Sequence, residues 1–256
     1  MGNPNSEPDS RPSAATLTPD LKTDIEMWLS HDVTKRNGSL VRIVALGATA
    51  ARALVETMFL NARESLRQSQ LQNALREIGP SAFQPIAQAL GRIPAIKTMT
   101  DVALLEDLTE TLLSLDGRRG APVAVEQLSK LSAVPIGNRL MAETINNARL
   151  RLVVKTAGTC CSPEAVDEVL AYLGDGTTLV PLALIEVLEK CGDRRALTPL
   201  LRLFPRQNAA SEHSGRQISE AFRAIVKREK LAIDSAAFAD CGANEKELAA
   251  RWFAKK

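Results

Sequence analysis

Aromatic residues make up 4% of this 256-residue chain, and one of them is its single tyrosine. That leaves little to stack on nucleic-acid bases. Histidine is scarcer, with His31 and His213 alone, which leaves little for metal chemistry or general-base catalysis. Four cysteines (Cys160, Cys161, Cys191 and Cys241) are too few in a chain of this length for a disulfide framework. Neither sign of charge dominates. Lys+Arg number 32 against 30 Asp+Glu, a net charge of +2, which argues against coating nucleic acid along the whole length. No apolar run approaches the roughly 18 to 20 residues of a membrane span. Leu40 to Val55 is broken by Arg42 and Arg52, and Leu179 to Leu188 is too short. The basic-then-apolar layout of a secretory signal is also missing. These absences predict a cytoplasmic protein with no membrane span.

What the chain has is aliphatic. Hydrophobic residues reach 45%, with leucine and alanine foremost, and such a mixture favours an all-α fold packed through small side chains. Residues 1–18 form a Pro/Ser/Asn mixture that reads as a disordered leader. Its Met1-Gly2-Asn3-Pro4-Asn5-Ser6 start fits the short N-myristoylation pattern, one often met by chance. Thr18-Pro19 then pairs a capping residue with proline at the first helical position. This opens an N-terminal capping helix within residues 19–37, with Leu21, Ile25, Trp28 and Leu29 on one side and a turn at Lys35-Arg36-Asn37-Gly38.

Beyond that turn a unit recurs. Apolar residues at i, i+3, i+4 and i+7 place four side chains on one helical stripe. The copies are Ala51/Leu54/Val55/Met58, Phe83/Ile86/Ala87/Leu90, Ala121/Ala124/Val125/Leu128, Val166/Val169/Leu170/Leu173 and Leu197/Leu200/Leu201/Phe204. Four residues before the stripes stand Gly47, Gly79, Gly117, Ser162 and Asp193. Pro85 and Pro199 share one offset, where proline fits only in a helix's first turn. A further amphipathic helix precedes each later stripe, at about Arg63–Ile78, Asp101–Leu115, Gly137–Ala157 and Thr177–Cys191. The stripes begin 32, 38, 45 and 31 residues apart, within the range of two-helix repeats.

Segments such as Cys191-Gly192-Asp193-Arg194-Arg195-Ala196-Leu197-Thr198-Pro199-Leu200-Leu201 resemble HEAT repeats, and Arg76 to Ile86 is similar. The likeness is to the short bacterial kind named after the phycobilisome lyases. It implies an α-solenoid of about five two-helix repeats over residues 38–205, with helical caps. Departures are an insertion around Gly158-Thr159-Cys160-Cys161 and Ser162-Pro163 in place of glycine. Residues 206–215 turn polar and read as a loop. Residues 216–256 then hold a basic helix from about Arg216 to Lys230, a short helix near Ser235–Asp240 and a last one near Asn244–Ala254.

Catalytic constellations are wanting. His213 sits between Glu212 and Ser214, but adjacent residues in a flexible loop cannot preorganise a triad. Cys160-Cys161 lack the spacing and companions of a zinc site. All four cysteines read as packing or loop thiols, with redox or bilin attachment at Cys160 or Cys161 the minor alternative. The His-Glu pairs that hold iron in the deoxyhypusine-modifying relatives of the fold are missing. Gly174-Asp175-Gly176-Thr177-Thr178 is a helix stop and N-cap, without the ending of a phosphate loop. No catalytic residue, cofactor or metal is expected.

Charge is more informative. Between Arg194 and Lys230, basic residues outnumber Glu212, Glu220 and Glu229 by nine to three. Arg216, Glu220, Arg223, Lys227 and Lys230 make one solvent-facing stripe, opposite Ile218, Phe222 and Ile225. Glu106, Asp107 and Glu110 form an acidic face in the middle, behind Leu105, Leu108, Leu112 and Leu115. The leading reading is a non-enzymatic scaffold or adaptor that docks a protein partner, acidic in character, through the solenoid surface and basic end. The residues assigned to binding are Arg194, Arg195, Arg223, Lys227 and Arg228, with Trp252 as an anchor or, equally, a cap residue covering the last helix pair. The basic end could also meet the acidic middle of a second copy, head to tail. The alternatives are nucleic-acid binding of the HEAT-like DNA glycosylase type and a phycobilisome-lyase-like chaperone.

Overall fold

The computed structural model describes residues 18–30, 32–93, 96–132, 139–174 and 179–254, and among them there are helices and connections but no strand. The assigned leader, apart from Thr18, lies outside the described residues, as does His31. The chain divides into two compact units, Met1–Pro85 and Ile86–Lys256.

In the first unit, α1 (Pro19–Trp28) starts where expected, on Pro19 with Asp20 in its first turn. The turn expected at Lys35-Arg36-Asn37-Gly38 is instead inside α2 (Val33–Ala45). The Asp32 side chain accepts from the backbone N–H groups of Thr34 and Lys35, so helix begins ahead of the glycine that suggested a break. The capping segment 19–37 is therefore one helix and the start of another. Gly47, at φ 52°, then turns the chain into α3 (Ala48–Leu60), and α4 (Ser65–Ile78) follows. α1 packs on α2, α2 on α4 and α3 on α4. Leu21, Ile25, Ile43, Leu54, Met58, Leu71 and Leu75 are buried. Arg42 forks onto Asp24, with Nε 2.9 Å and Nη2 2.6 Å from Oδ1, and Trp28 Nε1 donates to the Gln70 carbonyl at 3.0 Å. Gly79 (φ 70°) and a 3-10 turn lead into α5 (Phe83–Arg92), which spans the division.

The second unit continues with α6 (Met99–Leu115), α7 (Gly117–Ser132), α8 (Arg139–Cys160), α9 (Pro163–Leu173), α10 (Leu182–Cys191), α11 (Leu197–Ala210), α12 (Glu212–Glu229) and α13 (Ala243–Ala254). Each helix packs on its neighbour in sequence or on the next but one. α6 meets α7 and α8, α8 meets α10, α10 meets α12, and α7 meets α9. The residues four before each stripe stand at helix starts: Gly117 opens α7, Ser162 caps α9, and Asp193 caps the turn before α11. Of the five stripes, Ala87, Val125, Leu170 and Phe204 are half-buried and the other residues are buried.

Three boundaries differ from expectation. Residues 206–215 are helical: α11 runs through Pro205 to Ala210, and Ser211 alone separates it from α12. The polar side chains there serve the helices. Gln207 is buried and donates to the Val180 carbonyl at 2.8 Å, and the Ser211 side chain accepts from the Ser214 N–H. The insertion near Gly158 is extra length in α8, which continues to Cys160. α10 begins at Leu182 after Pro181, later than expected; residues 175–178 lie outside the described residues. Among the described residues no single helix is long and apolar enough to cross a membrane.

Candidate functional site

The basic helix is α12. Ser211 caps its start with Glu212 in the first turn, and Lys227 and Arg228 occupy the last turn, where cations oppose the helix dipole. Lys230 closes it in the left-handed conformation, and the Leu231 N–H reaches the Val226 carbonyl at 3.0 Å. The apolar face is buried as expected, with Ile218, Phe222 and Ile225 at 0–1% exposure.

Phe222 sits in an aromatic cluster. Its ring centroid lies 4.9 Å from that of Trp252 and 6.0 Å from those of Phe238 and Phe253, and Phe204 stands 5.0 Å from Trp252. A chain poor in aromatics thus gathers five of them where α11, α12 and α13 meet. Arg202 Nε on Glu245 Oε1 (3.0 Å) ties α11 to α13. Glu245 also accepts from the Gly242 N–H, which holds its carboxyl below the usual range, with Arg202 adding to the effect.

The residues assigned to binding meet different fates. Trp252 is 6% exposed inside the cluster, the place of a cap residue covering the last helices, and its remaining edge lines a cleft. Arg195 binds Asp193 through Nε (3.1 Å) and Nη2 (2.8 Å) and reaches Asp167 through Nη1, and these partners hold the guanidinium charged. Arg228 donates to the carbonyls of Glu189 (3.0 Å) and Lys190, closing the C-terminal end of α10. Both arginines, though exposed, are committed to partners within the chain. Arg194, exposed beside Asp193, has no salt bridge among the described residues. Arg216, Arg223, Lys227 and Lys230 form no side-chain hydrogen bond or ion pair among the described residues.

Two of these free cations line a cleft of about 490 Å³, walled by Glu212, Gly215, Arg216, Ser219, Glu220 and Arg223 of α12 with Phe204, Asn208 and Trp252. Arg223 is half-buried, and its Nε is enclosed without an acceptor. Gly215 permits the close approach of α11, since a Cβ there would lie 2.7 Å from the Cβ of Asn208.

The acidic middle differs from expectation too. Glu106 and Glu110 are half-buried and carry counter-charges from α8, Arg151 Nη2 to Glu106 at 2.7 Å and Lys155 Nζ to Glu110 at 2.8 Å. The charge of this face is thus balanced in part within the chain.

Cys161 and Cys191 form a disulfide, which corrects their reading as free thiols; it joins the end of α8 to the end of α10. Nothing in their spacing announced it. Cys241 is a buried free thiol, 3.4 Å from the Thr198 hydroxyl. His213 is exposed on the first turn of α12. No group of three or more His, Cys, Asp or Glu that could hold a metal occurs among the described residues. The chain matches no protein-family model, no curated protein and no solved structure.

Proposed function

We propose that the chain is a non-enzymatic interaction scaffold of HEAT-like helix pairs that takes an acidic protein partner on the exposed face of α12. The contact order supports the repeat reading. α6, α8, α10 and α12 touch in succession, with α7 and α9 paired beside them, as expected of stacked two-helix units. The observation that carries the functional reading is the row Arg216, Arg223, Lys227 and Lys230, which forms no ion pair among the described residues although Glu212, Glu220 and Glu229 share the helix. An unpaired basic row steers an acidic surface and fixes its orientation.

Nucleic acid is the poorer partner for this face. Trp252 is enclosed, Trp28 is held by Gln70 and the Tyr172 ring is covered by Arg149 at 5.1 Å, so the tryptophans and the tyrosine are occupied.

The test is affinity capture at low salt with the full chain and its Arg223→Glu/Lys227→Glu variant, whose helix content is checked by circular dichroism. A stoichiometric acidic protein retained by the wild type and lost from the folded variant is expected. Retention by the variant, or nuclease-sensitive nucleic acid as the sole bound species, overturns the reading.

A further inference from the structure

We infer that the exposed face of α12, from the cleft at Arg216 and Arg223 on to Lys230, receives an acidic helix of the partner, one with carboxylates at seven-residue intervals. The inference rests on the proposed acidic-partner reading and narrows it to a secondary structure and a spacing. Arg216, Arg223 and Lys230 are seven residues apart and unpaired among the described residues. Seven residues are about 10.5 Å along a helix, two turns, so a second helix alongside presents one side chain to each cation. An extended chain advances about 3.3 Å per residue and matches that interval with every third residue, but then turns its alternate side chains away.

The walls suit the same occupant. The cleft runs along α12 from Glu212 to Arg223, about three helical turns. Ser219 and Gly215 keep its middle low, with Phe204 half-buried at its floor. An incoming carboxylate meets Arg223 at the cleft wall, where the guanidinium carries no ion pair among the described residues. Glu220 lies between Arg216 and Arg223 on the same face, as does Glu212 one turn before. A cation on the incoming helix opposite Glu220 therefore sets the register, and a uniformly acidic segment is repelled there.

The experiment uses the full chain and two labelled synthetic peptides of 21 residues in fluorescence anisotropy. One has glutamate every seventh residue and a lysine between; the other has the same composition in scrambled order. The spaced peptide is expected to bind at least tenfold more tightly. Arg216→Glu/Lys230→Glu, both at exposed positions, should abolish that preference, and a peptide with lysine in place of the spaced glutamates should restore binding to the variant. Arg223→Glu, checked for folding, should act in the same direction. Equal binding of both peptides overturns the spacing and leaves acidic-partner recognition standing. Binding of neither overturns the inference, and the broader reading then falls only if capture also survives Arg223→Glu/Lys227→Glu.

Discussion

The Trp252 indole stands edge-on to the Phe222 ring, with centroids 4.9 Å apart and planes at 65°. This pair, closed by Phe204 on one side and Phe253 on the other, joins α13 to the body of the second unit. Trp252→Ala removes a buried aromatic and should lower stability by about 3–5 kcal/mol, measured by urea denaturation. Trp252→Phe should cost less. A variant with unchanged stability and weakened partner binding would return Trp252 to the surface role first read for it.

Gly215 and Asn208 set how closely α11 and α12 approach. A methyl group at 215 would meet Asn208 Oδ1 at 2.1 Å and its Cβ at 2.7 Å, and the second atom cannot swing aside. Gly215→Ala should therefore destabilise by about 1–3 kcal/mol through overpacking, although alanine is the better helix former. Gly215→Ala combined with Asn208→Gly, which removes that Cβ, should relieve the clash and leave about 1 kcal/mol for the glycine placed in α11. Failure of the double variant to recover places the strain elsewhere.

The Cys161–Cys191 disulfide closes a loop with a sequence separation of 30. Constraining a loop of that size in the unfolded chain stabilises by about 3–4 kcal/mol in the chain-entropy treatment. Reductant should lower the melting temperature of the wild type and leave Cys161→Ser/Cys191→Ser unmoved. Alkylation under denaturing, non-reducing conditions should spare both residues in peptide mass spectra. Labelling of Cys161 there would disprove the bond.

Asp193 responds to acid with a definite sign. Hydrogen bonds from the Arg195 side chain, with the Arg195 backbone N–H and the nearby charges, hold its carboxyl below the ordinary 3.8. A folded-state value below the unfolded one stabilises the fold above pH 3.8, and the contribution fades as pH falls through the folded value. Asp193→Asn should thus lower the melting temperature near pH 6, and the gap to wild type should close as pH drops below 3.8. A gap independent of pH would show that the carboxylate's charge contributes nothing.

The stripes were legible because burial in a helix obeys a 3.6-residue period, and apolar spacing at Leu197, Leu200 and Leu201 reports it directly. The junctions at Gly47, Ser162 and Asp193 were legible because capping and positive φ demand particular residues. Residues 206–215 were misread because polarity was taken for exposure. Gln207 is polar yet buried, with its partner, the Val180 carbonyl, 27 residues away. Distance along the chain hid the site in the same way. Arg195 finds Asp167 28 residues back in addition to its near neighbour Asp193, and Arg228 finds the Glu189 carbonyl 39 back, partners that a local reading passes over. Arg216, Arg223, Lys227 and Lys230 differ in that none forms an ion pair among the described residues. Trp252 stayed open between anchor and cap because its local sequence, with only Phe253 beside it, carries no sign of the Phe204 and Phe222 rings that cover it.

Ser211 is the whole of the connection between α11 and α12. One residue gives no slack, so the cations of α12 are mounted on the helical body as on a fixed bracket. Whatever grips them is aimed as well as held, and a grip at this end dictates the angle at which a bound protein leaves the surface. A few flexible residues inserted at 211 would keep every charge and turn the bracket into a tether, so that binding would persist while direction was lost.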